Sequence, residues 1–428
     1  VARFGAWASK EFTKSRVGDQ YAHRFSIHFP NEERSAGRPV RTRPIYQMQK
    51  EMGAVMGFNY GWEHPLWFAE TPGVKDTNGF TRQNWFEPVG KECQMLREKA
   101  GIIDISNFAK YVVQGKKGRD WLDAVFANKM PTEVGLSCLT PLISRRGGLA
   151  GDFTVTLIAQ DEYWIFGAGM AERYHKRFFD AVPLPEGVSF ESRTEPVCGF
   201  NVAGPLSRKI LQGLTNTSLN NEDFQFMRSK RADLAGIDVK MLRVSFTGDL
   251  GWEVHCNTAD QKALYTALLK AGKEFGAGPV GSRALMAMRV EKGYGSWSRE
   301  YSPEYWPHEQ GMDRLCKMDK DFLNKAALQA VLAQEPREQM VLLHLNEAAV
   351  TASNADATGG EPVFKDGNGI GRVTSGAYGY SVGFSLALAM VKDVGPGDEV
   401  EVMVLGQPHK AKILHQPPFD PTGKKLRA

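Results

Sequence analysis

Two ten-residue stretches, VQGKKGRDWL (113–122) and VAGPLSRKIL (202–211), fit one pattern, V-x-G-x-x-[GS]-R-x-x-L. Each reads as the end of a strand, a glycine turn and the start of a helix. Internal repetition is strongly constraining, because the second copy has to repeat the element order of the first. Around the first copy, 110–114 reads as a strand and 118–126 as a helix. Residues 154–159 and 163–166 read as a hairpin about Gln160-Asp161-Glu162, and 170–181 as a helix. Around the second, RVSFTGDLGWEVH (243–255) reads as a hairpin and 259–275 as a helix. The expectation is an α+β body over 69–332 made of two related units, about 87–195 and 196–332. An amphipathic helix over 89–100, stopped by Gly101, opens it.

The flanks differ from the body. Residues 1–68 are basic and Arg-rich, and YAHRFSIHFP (21–30) reads as extended. This stretch holds too little apolar material for its own core, so it is expected to pack on something else, with GWEHPLWF (61–68) anchoring it to the body. After the linker AQEPR (333–337), strand patterns broken by KDGNG (365–369) and GPGD (395–398) fill 338–428. That segment reads as an all-β domain, a small barrel or jelly roll.

Several function classes are excluded. No apolar run approaches the roughly 20 residues that span a bilayer, so no membrane partner is expected. No basic-apolar-small leader is read; the chain opens on Val1, which leaves room for a segment upstream. A formal charge of +4, spread along the sequence, argues against nucleic acid and is compatible with a small anionic ligand. Cys93, Cys138, Cys198, Cys256 and Cys316 contain no CxxC pair, which fits a reducing compartment without a disulfide frame or zinc site. The nine histidines also lack ligand spacing, so no metal is expected. GAGPVG (276–281) matches G-x-G-x-x-G but follows a helix and carries Pro279, and is rejected as a dinucleotide site. No GxSxG, HExxH or phosphate loop is present, and the NTS at 216–218 carries no weight as a sequon.

Two acids remain. Asp152, in RRGGLAGDFTV (145–155), is by pattern more often a turn residue than a catalytic one. Glu253 sits inside a strand pattern, where facing solvent and facing inwards weigh about evenly. Arg283 starts a helix, where an exposed arginine is ordinary, and Phe108, Phe166 and Phe246 taken singly read as core.

Taken together and in order, these segments resemble the aminomethyltransferase family, the glycine-cleavage T-protein and its relatives. The resemblance covers essentially the whole chain. It is strongest to the connector and folate-binding half of dimethylglycine and sarcosine dehydrogenases, and IHFPNEER, AGRP and GWEHPLWF carry that connector. RRGGLAGDFTV, RVSFTGDLGWEV, GSRALMAMRVEKGY, KDFLNKAAL, GRVTSGAYGYSVG and PPFDPTGKKLR carry the body and the closing barrel. The resemblance implies a three-domain cloverleaf around a tetrahydrofolate channel. Residues 1–68 would then be a connector that packs on a flavin domain, FAD being held only by a missing or separate domain.

The resemblance also implies roles for single residues. Asp152 would stand beside the reactive pterin nitrogens, and Glu253 would accept from the pterin's N–H edge. Phe108, Phe166 and Phe246 would wall the rings, with Thr154 on the same side of the strand as Asp152. Arg283 would orient Glu253 or meet the glutamate tail, and Leu139 and Tyr378 would complete the cofactor contacts. The family usually has tyrosine at the positions of Leu139 and Phe246, so two phenols are absent. The implied activity is formation of 5,10-methylenetetrahydrofolate from the oxidised methyl group of an N-methyl glycine derivative, met as the amine or its iminium. Alternatives are a methyltransferase giving 5-methyltetrahydrofolate, and a non-catalytic scaffold. The implied setting is bacterial cytoplasm or mitochondrial matrix.

Overall fold

A computed structural model describes residues 8–428. The repeat is visible in its two central sheets. The first runs, in spatial order, Ser137–Ile143, Leu149–Ala159, Glu162–Gly167, Ala109–Gln114 and Ser189–Ser192. The second runs Ser229–Leu234, Ile237–Leu242, Gly251–Asn257, Val197–Ala203, Gly101–Asp104 and Gly278–Val280. The fourth strand of each sheet ends in the repeated motif, and the helix that follows it (Gly118–Val125, Ser207–Gln212) is also repeated. The fifth strands join the two units. Gly101–Asp104, which precedes the first repeat strand, pairs with the second sheet, and Ser189–Ser192, which precedes the second, pairs with the first. Both strands lie in the first unit's stretch of chain, so the second sheet takes Gly101–Asp104 from the first unit, which ties the two together.

Both hairpins of the repeat are present, with one correction. The second is formed by Ile237–Leu242 and Gly251–Asn257. Residues 243–250, read above as its first arm, are a connecting loop. That loop is fixed from outside: the buried Arg97 donates to the Thr247 carbonyl at 2.8 Å and pairs with Asp249, while its other nitrogens reach Glu291 at 2.6 Å and Ser381 at 2.9 Å. Arg97 thus holds one backbone carbonyl and one acidic side chain of the loop.

One core packs Phe200, Trp252, Val254 and Tyr265 under the second sheet, and another packs Phe126, Phe153, Val155 and Phe179 under the first. The opposite faces meet each other. Val112, Ile158, Trp164 and Phe166 of the first sheet pack on Leu242 of the second and on Val197, and Thr156 bonds Ser229 across the seam.

The last domain is a closed barrel, ordered Gln339–Leu345, Phe384–Val391, Asn368–Gly379, Pro362–Lys365, Glu399–Val404 and Gln407–Ile413. It docks on helix Ser282–Glu291, where the buried Arg289 bonds Glu300 at 2.8 Å and Ser375 at 2.5 Å.

The start of the chain departs from expectation. Residues 10–22 form a helix, Lys10–Ala22, capped by Ser9, whose hydroxyl accepts from the Phe12 amide at 3.1 Å. Tyr21 and Ala22 are therefore helical, and 23–30 turn irregularly instead of extending. The strand Trp62–Phe68 does anchor this region. Trp67 is buried against Val89, Leu96 and Ala284, and Gly281 lies so close that a Cβ there would sit 2.2 Å from the Leu66 carbonyl. Arg43, with its guanidinium over Trp62, donates to the Ser106, Thr194 and Glu195 carbonyls and so ties the early part of the first unit to its end, where the second begins.

Candidate functional site

Alternation along Leu149–Ala159 sorts its side chains. Phe153 and Val155 enter the core, and Asp152 and Thr154 face the other way. Residues directly opposite in an antiparallel pair share a face. Leu139 opposes Thr154, Thr154 opposes Phe166, and Phe166 opposes Lys110, so four strands lay these side chains in one row. Asp152, opposite Pro141, stands one step further along. Leu139 is 45 % exposed, so the row is open at that end.

Asp152 keeps some solvent contact, yet protein encloses its carboxyl and no other side chain bonds it among the described residues. Burial pushes it up from 3.8 to about 6. The segment 295–305 runs beside the start of this strand, with the Leu149 amide donating to the Tyr305 carbonyl at 3.0 Å. It carries Tyr301, whose phenol is raised by burial and by the Asp152 charge.

The second sheet supplies Glu253 and His255, two residues apart on one face of Gly251–Asn257. The His255 ring stacks on Phe166 with centroids 4.5 Å apart, and its Nε2 lies 3.4 Å from Glu253 Oε2. Phe166 thus links the row holding Thr154 to Glu253 across the seam. Below it, the buried Lys110 ammonium donates to the Ser106 and Phe108 carbonyls at 3.1 and 2.9 Å, and burial pulls it down to about 7.

The structure thus gathers Asp152, Thr154, Leu139, Phe166 and Glu253. Phe108, 39 % exposed, lies in the turn whose carbonyls hold Lys110. Phe246, in the 243–250 loop, stacks on Tyr294 with centroids 5.9 Å apart. The two remaining residues lie elsewhere. Arg283 does not orient Glu253: it forks onto Asp76, at 2.9 Å through Nη1, and lies over the Trp85 ring, which satisfies its charge at the helix start. Tyr378 is packed between Phe86, Tyr380 and the Arg82 guanidinium where barrel meets body, and no described contact joins it to the row.

His255, Lys110, Tyr294 and Tyr301 were not singled out from sequence. His255 had a usable signal, since it stands two residues from Glu253 in a strand pattern. The tyrosines had none, because only folding lays 294–301 against Phe246 and Asp152.

The fold also matches a crystal structure of the glycine cleavage system aminomethyltransferase T from Bartonella henselae. The TM-score is 0.76 at 21 % identity, covering 89 % of this chain and 98 % of that one. Residues 45–320 match the GCVT N-terminal domain model, and 339–420 match the glycine cleavage T-protein C-terminal barrel domain. The chain belongs to the glycine-cleavage T-protein family. Residues 1–42 of this family member match the FAD dependent oxidoreductase central domain. Among its relatives, mitochondrial dimethylglycine dehydrogenase of Mus musculus is 34 % identical over 427 residues, 97 % of this chain and 48 % of that protein. Mitochondrial sarcosine dehydrogenase of Mus musculus is 27 % identical over 97 % of this chain and 50 % of that protein. A probable aminomethyltransferase of Thermococcus kodakarensis is 26 % identical over 89 % of this chain and 98 % of that protein. The chain thus spans about half the length of the dehydrogenases it matches. Among the described residues no helix is long and apolar enough to cross a membrane.

Proposed function

We propose that this chain is the tetrahydrofolate-handling half of a flavin-dependent N-methyl amine dehydrogenase. It would form 5,10-methylenetetrahydrofolate from the oxidised methyl group of an N-methyl glycine derivative. FAD would be held by a missing or separate domain, and the oxidoreductase match at 1–42 supports that arrangement. The setting that goes with this reading is the mitochondrial matrix or bacterial cytoplasm.

The observation that carries the proposal is the enclosed carboxyl of Asp152, bonded by no other side chain among the described residues, on the same sheet face as the Leu139–Thr154–Phe166 row that reaches Glu253. Such a carboxyl costs stability, and a group kept at that cost fits a site that awaits a donor or a positive charge. Glu253 keeps one oxygen outside its contact with His255, which suits a ligand edge rich in N–H donors. Tetrahydrofolate supplies the nucleophilic nitrogens that take the one-carbon unit. In this reading Asp152, at about 6, is mostly ionised near neutrality and sets a fixed negative charge against cationic character at the reacting nitrogens. Being close to neutral, it can also accept and pass on the proton released there. Thr154 and Phe166 form a floor between the two acids. The absent phenol at Leu139 favours the scaffold reading, and the enclosed acid counts against it.

Anaerobic calorimetric titration of tetrahydrofolate into the chain and its Asp152→Asn and Glu253→Gln variants tests this. Micromolar binding, weakened chiefly in Glu253→Gln and largely kept in Asp152→Asn, is expected. Absence of binding by the unmodified chain would sink the folate reading.

A further inference from the structure

We propose that His255 is a positioning residue that fixes the Glu253 carboxylate for its ligand, an inference that rests on the folate reading for what that ligand is. Three contacts define the ring. Phe166 stacks on its face at 4.5 Å with 25° between planes. Glu253 Oε2 lies 3.4 Å from Nε2. Gly199 on the neighbouring strand leaves the space the ring fills, since a Cβ there would come within 2.5 Å of Nδ1 and 2.8 Å of Cε1. The imidazole is only 1 % exposed, so it has little freedom to turn away.

The protonation state follows from this enclosure. Nδ1 is buried without a hydrogen-bond partner. A proton there would leave a donor stranded, whereas a proton on Nε2 points at a carboxylate. The neutral Nε2–H tautomer is therefore the one the site holds. The charged groups facing the ring agree: Lys110 comes from the first sheet, Lys240 is its cross-strand partner, and Glu253 is on its own strand. Burial depresses the imidazole below its ordinary value, the two lysines add to this, and Glu253 alone opposes it. A neutral donor aligns Glu253 without cancelling its charge. Each carboxylate oxygen can accept twice, so Oε1 and the second lone pair of Oε2 stay open to a ligand.

Two measurements test the assignment. In 15N ring spectra of the unmodified chain, His255 should appear as the Nε2–H tautomer across about pH 6–8, with a signal that moves in Glu253→Gln. A protonated ring, the Nδ1–H tautomer, or a signal indifferent to Glu253→Gln would overturn the proposal, and none of these needs a ligand. The second is a double-mutant cycle with 5-formyltetrahydrofolate, a stable reduced folate. His255→Phe keeps the stack and should weaken binding about tenfold in the parent, the scale of one hydrogen bond to a charged group. It should cost nothing further in Glu253→Gln. Equal losses in both backgrounds would mean that His255 acts independently of Glu253. Gly199→Ala, which pushes the ring aside, should reproduce the His255→Phe loss, and unchanged binding there would also count against the assignment. If the unmodified chain binds no folate, the functional reading fails while the ring spectra still decide the His255–Glu253 linkage.

Discussion

Replacing Asp152 by asparagine should stabilise the protein, by an amount that depends on pH. Burial raises the folded carboxyl from 3.8 to about 6, and in the unfolded chain it returns to the ordinary value. Between those two values the folded protein holds a proton that the unfolded chain has released. Stability therefore falls as pH rises through about 4 to 6 and is flat above. A displacement of that size corresponds to about 3 kcal/mol at most. The residue's partial contact with water lowers this to about 1–3 kcal/mol. Asparagine is nearly isosteric and pays no ionisation penalty. Asp152→Asn should thus exceed the parent in stability by about 1–3 kcal/mol near pH 8, with the gap closing near pH 4. Urea unfolding midpoints of both proteins across this range measure it. A gap that does not change with pH, or an asparagine variant that is less stable near pH 8, would refute the reasoning. Either result would mean that some donor already stabilises the ionised carboxyl. Stability gained together with loss of one-carbon transfer would mark Asp152 as an acid kept for chemistry.

Arg97→Met should destabilise the protein by about 3–5 kcal/mol, because Asp249 and Glu291 are left buried without their cation. Urea denaturation reads the loss, and one below about 1 kcal/mol would mean that the 243–250 loop has other support. Leu139→Tyr restores a phenol at a position 45 % exposed and in register with Thr154, so stability should stay within about 0.5 kcal/mol. It should also tighten reduced-folate binding about fivefold, the scale of one neutral hydrogen bond. Calorimetry checks this, and weaker binding would argue that the row does not face the ligand.

Local chemistry determined much of what the sequence made legible. The repeated glycine turn marks where strand passes to helix, and alternating apolar residues mark strands. Both are properties of neighbouring residues, so the duplication, the closing barrel and the strand positions of Thr154 and Glu253 could be read before folding, whereas Asp152 read as a turn residue and lies inside the strand Leu149–Ala159. Family resemblance then supplied roles that pattern alone left open. Tertiary structure decided the rest. It showed that 243–250 is a loop, held by Arg97, about 150 residues away in sequence, through the Thr247 carbonyl and Asp249. It took Arg283 from Glu253 and gave it to Asp76, since a guanidinium pairs with the nearest carboxylate in space. It placed Gly101–Asp104, from the first unit, in the second sheet, which no repeat pattern announces. It also brought His255 onto Phe166 and Tyr301 towards Asp152. Periodicity fixes which way a side chain points, but what it meets there depends on how two sheets pack, and that is settled only when the whole chain has closed around them.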